Sequence, residues 1–425
     1  MKLKLLSFLL FPAALFAQGY TSYFTGSTTN ITTIPEFGVC LMGGATEHDN
    51  AMAWLLEKAN GGDVVVLRCS GSNGYNNYMY SELGVSLNSV ETLVITSEAG
   101  ATSPYVLNKI ANAELIWFAG GDQWNYVNFF KDNALEDLLN AHVNEKGAPI
   151  GGTSAGMAIL GGRYFSAQNG SVTSAEALTD PFNPYMTVMY DDFLSVPYLT
   201  GVITDTHYDN PDRRGRHAAF LARLMQFSTN VYGIACNEYV AVCVNQSGIA
   251  HVFGDYPNYQ EFAYFIQDNC HNTNGAETIQ AGTPLTWDYN GQALQVYKVP
   301  GTMDGEHWFD LGAWGLPVAS GGNWEDWSVI NGSLQVVAGE GPDCVLSAGD
   351  HDKSFVQILN PVDEVLQISQ SDGALIRIYD QAGRAITNIA AVANRATDVS
   401  ALPPGTYIVE ITRGGATATR KIVKR

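Results

Sequence analysis

The sequence predicts an α/β fold on a mostly parallel sheet, and three observations carry that expectation. Short apolar runs recur at residues 38–42, 63–67, 92–95 and 114–118, and helical periodicity fills the intervals at 50–59, 108–111 and 135–144. A run such as Asp63-Val64-Val65-Val66-Leu67 shows no polar alternation. That marks a strand buried on both faces, as in a parallel sheet covered by helices. The order then resumes with a strand at 200–204, a helix at 216–227 and strands at 231–235 and 239–244. Strands alternating with helices imply a layered α/β domain.

At ~100–200 residues per domain, a chain of 425 residues suggests two or three domains. Charged residues are 15% and hydrophobic residues 46%, which excludes a disordered chain. Residues 1–17 join Met1-Lys2-Leu3-Lys4 to a short apolar run and read as a signal peptide, because a bilayer span needs ~20 apolar residues. Residues 18–35, rich in Thr, Ser and Gly, read as a loose leader. The α/β domain is expected over 36–284. Five of the eight tryptophans then fall between Trp287 and Trp327, so 285–350 reads as a β-rich extension. Its rings belong either to a core or to a binding surface. From 353 to 425 the texture changes again. Short strands at 365–368, 375–379, 406–411 and 417–423, with a turn at 380–384, predict a small β-sandwich.

The net charge of −20 is unevenly placed. Residues 18–349 hold 34 acids against 11 bases, whereas 350–425 hold 8 against 9. An acidic domain lacks the basic footprint that nucleic acid needs, but it suits a cationic substrate or a well-solvated surface. No CxxC or HExxH appears, so no metal site is expected. The Gly43-Gly44 turn lacks GxGxxG, and no cofactor is implied. Export permits disulfides; Cys270 and Cys344, in polar loop-like contexts, are the expected bridge, and Cys40 and Cys69 read as buried thiols.

The chemistry starts at Gly151-Gly152-Thr153-Ser154-Ala155-Gly156. A GxSxG turn between a buried strand and a helix is a nucleophile elbow, with small residues because the turn is tight. Ser154 is the expected nucleophile and the Ala155 amide an oxyanion donor. Gly120-Gly121-Asp122-Gln123 ends the preceding strand; Gly121 is expected to give the second oxyanion amide and Gln123 to face the crevice. Of eight histidines, His207 follows a strand end in Asp205-Thr206-His207-Tyr208 and is expected as the general base. The acid that orients it is Glu238, in Ala235-Cys236-Asn237-Glu238, or its competitor Glu176. Asp122, Asp205, Asp209 and Asp212 are expected to gather near Ser154 or His207, where carboxylates would receive a guanidinium.

Together the elbow, the Ala119-Gly120-Gly121-Asp122-Gln123 turn, Asp205-Thr206-His207-Tyr208 with the later Arg214-Gly215-Arg216, and Gly233-Ile234-Ala235-Cys236-Asn237-Glu238 resemble the cyanophycinase and aspartyl dipeptidase family. The resemblance runs from about residue 38 to 244. It implies a serine peptidase with a three-layer fold like class I glutamine amidotransferases. It implies Ser154, His207 and Glu238 as triad and Gln123, Asp205, Arg214 and Arg216 as substrate-pocket positions. Such enzymes release β-aspartyl-arginine dipeptides from cyanophycin. A further family arginine falls on Ala219 here. The tail resembles the C-terminal sorting domain of type IX secretion substrates through Asn360-Pro361, residues 376–379, Gly383, residues 402–409 and the basic end 421–425. That implies the type IX machinery as partner, passage through periplasm and outer membrane, and a secreted or surface location without an integral membrane segment. The expected function is an exported cyanophycinase-like serine peptidase. The alternatives are a peptidase or amidase for other aspartyl or acidic peptides, or a catalytically silent binding module using the tryptophan-rich region.

Overall fold

The buried apolar runs assemble into two mixed sheets. The computed structural model describes residues 19–228, 231–272, 274–344, 362, 365–367, 375–379, 384–389, 396–413 and 416–424. The expected signal peptide, Asn360-Pro361 and Gly383 lie outside the described residues. The chain divides into two compact units, Met1–Pro342 and Asp343–Arg425.

Five strands of the first sheet run parallel in the order Ser89–Ile95, Asp63–Arg68, Leu115–Phe118, Ile150–Thr153 and Val39–Met42. Alternate side chains divide between two cores. Val65 and Leu67 pack with Ile116 and Phe118, while Val64 and Val66 pack with Leu115 and Trp117. Helices such as Asp49–Glu57 and Ala134–Asn144 bury leucines in these cores. The sheet continues in antiparallel fashion through Ala241–Val244, Ile249–Tyr256 and His307–Asp310.

Its other edge corrects one expectation. Tyr20–Gly26, within the supposed leader, is a strand paired antiparallel with Ser89–Ile95. Its Thr and Ser content hides an aromatic spacing of Tyr20, Tyr23 and Phe24 along an edge strand.

The second sheet holds the later α/β segments. Val202–Asp205 lies parallel to Tyr232–Cys236 on one side and to Arg163–Phe165 on the other. Phe262–Asp268, Leu294–Pro300, Asn323–Ile330 and Ser333–Ala338 extend it antiparallel. The tryptophan-rich stretch therefore completes both sheets. Trp287 and Trp327 are fully buried, and Trp314 stacks on Tyr232 at 4.4 Å between centroids. Trp287 and Trp327 belong to the core, and Trp314 and Trp324 are half-buried against it.

Cys270 and Cys344 are both disulfide-bonded, as their contexts suggested. Cys40, Cys69, Cys236 and Cys243 are free.

The second unit has its own core of Leu366, Ile376, Ile378, Tyr407, Val409, Ile411 and Ile422. Its strands form a four-stranded antiparallel sheet, ordered Ala385–Ile389, Leu375–Tyr379, Gly405–Arg413, Ala416–Lys424, and a pair, Val365–Gln367 with Ala396–Asp398. Among the described residues no helix is long and apolar enough to cross a membrane.

Candidate active site

Register brings three turns to one level. Phe118 lies opposite Gly152, and Met42 opposite Thr153. The carboxyl ends of these strands thus carry Gly120-Gly121, Ser154 and Gly43-Gly44 side by side. The elbow glycines are dictated by packing. A Cβ on Gly151 would strike Trp117, Leu55 and the Cys40 carbonyl; one on Gly152 would strike Gly156; one on Gly156 would strike the Phe118 carbonyl. Ser154 itself is held at φ 53°, ψ −118°. For a residue with a Cβ such a conformation costs about 1–3 kcal/mol, and it persists only where the surroundings enforce it. Here the Ser154 amide donates to the Met42 carbonyl at 3.0 Å.

The second sheet supplies the partners. His207 follows Val202–Asp205, also at positive φ (46°), and its amide donates to the Gly43 carbonyl at 2.8 Å. Its Nε2 lies 2.8 Å from Ser154 Oγ, and its Nδ1 lies 2.6 Å from Glu238 Oε1. A carboxylate only accepts, so the proton of neutral His207 sits on Nδ1 and leaves Nε2 free to accept from Ser154. The Glu238 amide in turn donates to Asp209 Oδ1 at 3.1 Å. Both His207 and Glu238 side chains are about one-quarter to one-fifth exposed, 24% and 20%. The pair is therefore shielded from solvent yet reachable.

Glu176 sits elsewhere in function. Its carboxylate accepts from the Thr173 amide (2.9 Å) and hydroxyl (2.8 Å) and closes the capping box of helix Ser174–Thr179. The turn before helix Gln123–Phe130 lies against Ser154: a Cβ on Gly120 would stand 3.5 Å from Ser154 Cβ. Gly121 is exposed, and Ala155 opens the short helix Ala155–Ala158. Gln123 Nε2 reaches the Phe165 carbonyl at 3.5 Å, and Asp122 caps its own helix through the Trp124 amide.

The structure gives Asp205 and Arg216 a placement unlike that expected of substrate ligands. Both side chains are 4% exposed and pair with each other, with Arg216 Nε 2.8 Å from Asp205 Oδ2. Arg216 Nη1 also donates to Ser171 Oγ and the Val172 carbonyl. Burial works against ionisation of Asp205, but the Arg216 guanidinium outweighs it and holds the carboxyl below its usual range. This couple fastens the strand that leads to His207 to helix Arg214–Leu224. Arg214 is likewise occupied, by Asp212 at 2.6 Å. Replacing Asp205 with Asn leaves Arg216 buried without a counter-charge. Denaturant unfolding is expected to show a loss of about 3–5 kcal/mol. Wild-type stability with a raised KM would instead return both residues to the substrate.

Sequence reasoning missed Gly43-Gly44 as part of the site. A Cβ on Gly44 would collide with the His207 ring, and one on Gly43 with the Asn237 carbonyl. A glycine pair ending a buried strand was the available signal. It also missed Arg213, whose Nη1 donates to the Thr206 carbonyl at 3.0 Å.

Residues 74–252 match the family described as Peptidase family S51. That match lies within the first unit. The chain also matches the secretion system C-terminal sorting domain over residues 360–425. It is thus a serine-type peptidase, exported by type IX secretion to the cell surface or beyond. The chain has 14% identity to a peptidase from an acI-B1 Actinobacterium, over 53% of this chain and 90% of that one, with a TM-score of 0.39. It has 14% identity to a putative peptidase E protein from Listeria monocytogenes EGD-e, over 52% and 98%, with a TM-score of 0.33. No curated protein matches it.

Proposed function

We propose that this exported peptidase cleaves aspartyl-arginine-type peptides, as in cyanophycin, through an acyl-enzyme on Ser154. The observation that carries the chemistry is the unbroken hydrogen-bond chain from Ser154 through His207 to Glu238. Ser154 Oγ attacks the scissile carbonyl while its proton passes to His207 Nε2. Glu238 holds the ring in the required tautomer and stabilises the imidazolium. The amides of Ala155 and Gly121 receive the oxyanion. His207 then gives its proton to the departing amine. Water, deprotonated by the same nitrogen, releases the acyl group and restores Ser154.

A cationic leaving portion fits the electrostatics beside Glu238. Burial first, then the charges of Asp209, Glu238 and Asp255, raise the Glu261 carboxyl above its usual range. A carboxylate so crowded gains from a nearby guanidinium. Exchanging the substrate arginine for norleucine should lower kcat/KM about tenfold or more, since ~1.4 kcal/mol of lost pairing is a factor of ten. Equal rates would leave a serine peptidase without this preference.

A further inference from the structure

The arginines expected to hold a substrate carboxylate are already paired, but a different arginine is not. Arg216 is taken by Asp205 and Arg214 by Asp212. Arg68 makes no ion pair with any described residue. Its Nε donates to the Ser70 carbonyl at 3.0 Å and its Nη1 to the Ser72 carbonyl at 3.3 Å. Its guanidinium carbon lies 5.7 Å from the centre of the Tyr75 ring. Nη2 has no acceptor among the described residues. Glu47 does not neutralise it and accepts from the Tyr75 hydroxyl instead.

Arg68 also stands at the right end of the sheet. It closes strand Asp63–Arg68, whose Leu67 is level with Phe118, itself level with Gly152. Two strand spacings of ~4.8 Å separate its backbone from the strand bearing Ser154. The loop that follows abuts the oxyanion turn: a Cβ on Gly121 would lie 3.9 Å from Ser70 Oγ, and one on Gly120 would lie 3.9 Å from Ser154 Oγ. That loop is shaped around the guanidinium. Gly71, at φ 89°, passes so close that a Cβ there would come 2.7 Å from Nη2 and 3.0 Å from Cζ. A cation fixed by two carbonyls and an aromatic face, with its outer nitrogen open, is pre-organised for a planar anion.

We propose that Arg68 is a specificity-determining residue that binds a carboxylate of the substrate. The assignment rests on the serine-peptidase reading of this site. The two nitrogens Nη1 and Nη2 would donate to the carboxylate oxygens, holding the acyl portion beside Gly121 while its carbonyl meets Ser154.

The test compares dipeptide pairs that differ only in Asp or Asn at the acyl position, in α- and β-linked forms. Wild-type protein should favour the Asp member, and Arg68→Gln should reduce that preference about 30-fold, mainly through KM, as loss of a charge-assisted pair does. Gly71→Ala, which keeps the arginine but displaces its guanidinium, should erode the preference in the same direction. Equal losses on both members, a preference that survives Arg68→Gln, or no preference in the wild type would each overturn the assignment. So would cleavage of neither member while a fluorophosphonate still labels Ser154. Absence of labelling in the wild type would instead overturn the serine-hydrolase reading itself.

Discussion

Replacing Ser154 with alanine is expected to lower turnover by about four to six orders of magnitude, and His207→Ala by a similar factor. The double variant should lose little more than either alone. The reason is geometric. Ser154 Oγ lies 2.8 Å from His207 Nε2, so in the proposed mechanism removing either partner removes the same activated nucleophile. The residual rate would come from the oxyanion amides and from substrate binding, which both substitutions leave in place. Neither change should unfold the chain, because the elbow is shaped by its glycines and by the hydrogen bond that the Ser154 amide donates to the Met42 carbonyl. Steady-state kinetics on a cleaved peptide, with fluorophosphonate labelling and circular dichroism as controls, measure this. Full turnover by a folded Ser154→Ala protein would remove the nucleophile assignment.

Part of this site was legible in the sequence because packing leaves so few options there. Gly151, Gly152 and Gly156 each sit where a single added carbon collides, so the elbow advertises itself as a spacing of small residues. Buried parallel strands such as Asp63–Arg68 were equally plain, since burial on both faces removes polar alternation. What a strand end does not reveal is the direction of a side chain. Asp205 and Arg216 occupy motif positions, yet they meet each other inside the protein. The antiparallel strands of the second sheet were also obscure. Leu294–Pro300 buries Gln295 among its apolar residues, and Asn323–Ile330 carries Trp324 and Trp327, rings that suit a surface and a core equally well. Arg68 escaped notice for a related reason: nothing in the sequence says which arginines will find a carboxylate.

The choice between Glu238 and Glu176 depended on tertiary contacts, and it yields the second large effect. Glu238→Gln is expected to lower turnover by roughly 10²–10⁴, in line with the loss of a triad acid. The amide keeps the size of the side chain but can present an N–H to His207 Nδ1. The ring is then driven to the tautomer with its proton on Nε2, which cannot accept from Ser154. The charge that stabilises the imidazolium is lost as well. Folding should survive, because the loop is fixed by its backbone: the Glu238 amide donates to Asp209, and the Tyr239 amide to the Gly44 carbonyl at 3.1 Å. Glu176→Gln tests the other side of the comparison. Its carboxylate closes a capping box, and glutamine can serve there too, so stability and turnover should both change little. Measuring kcat for the two variants beside each other decides the matter. A large loss in Glu176→Gln with near-normal Glu238→Gln would show that the acid nearest His207 in the fold is not the one on which catalysis depends.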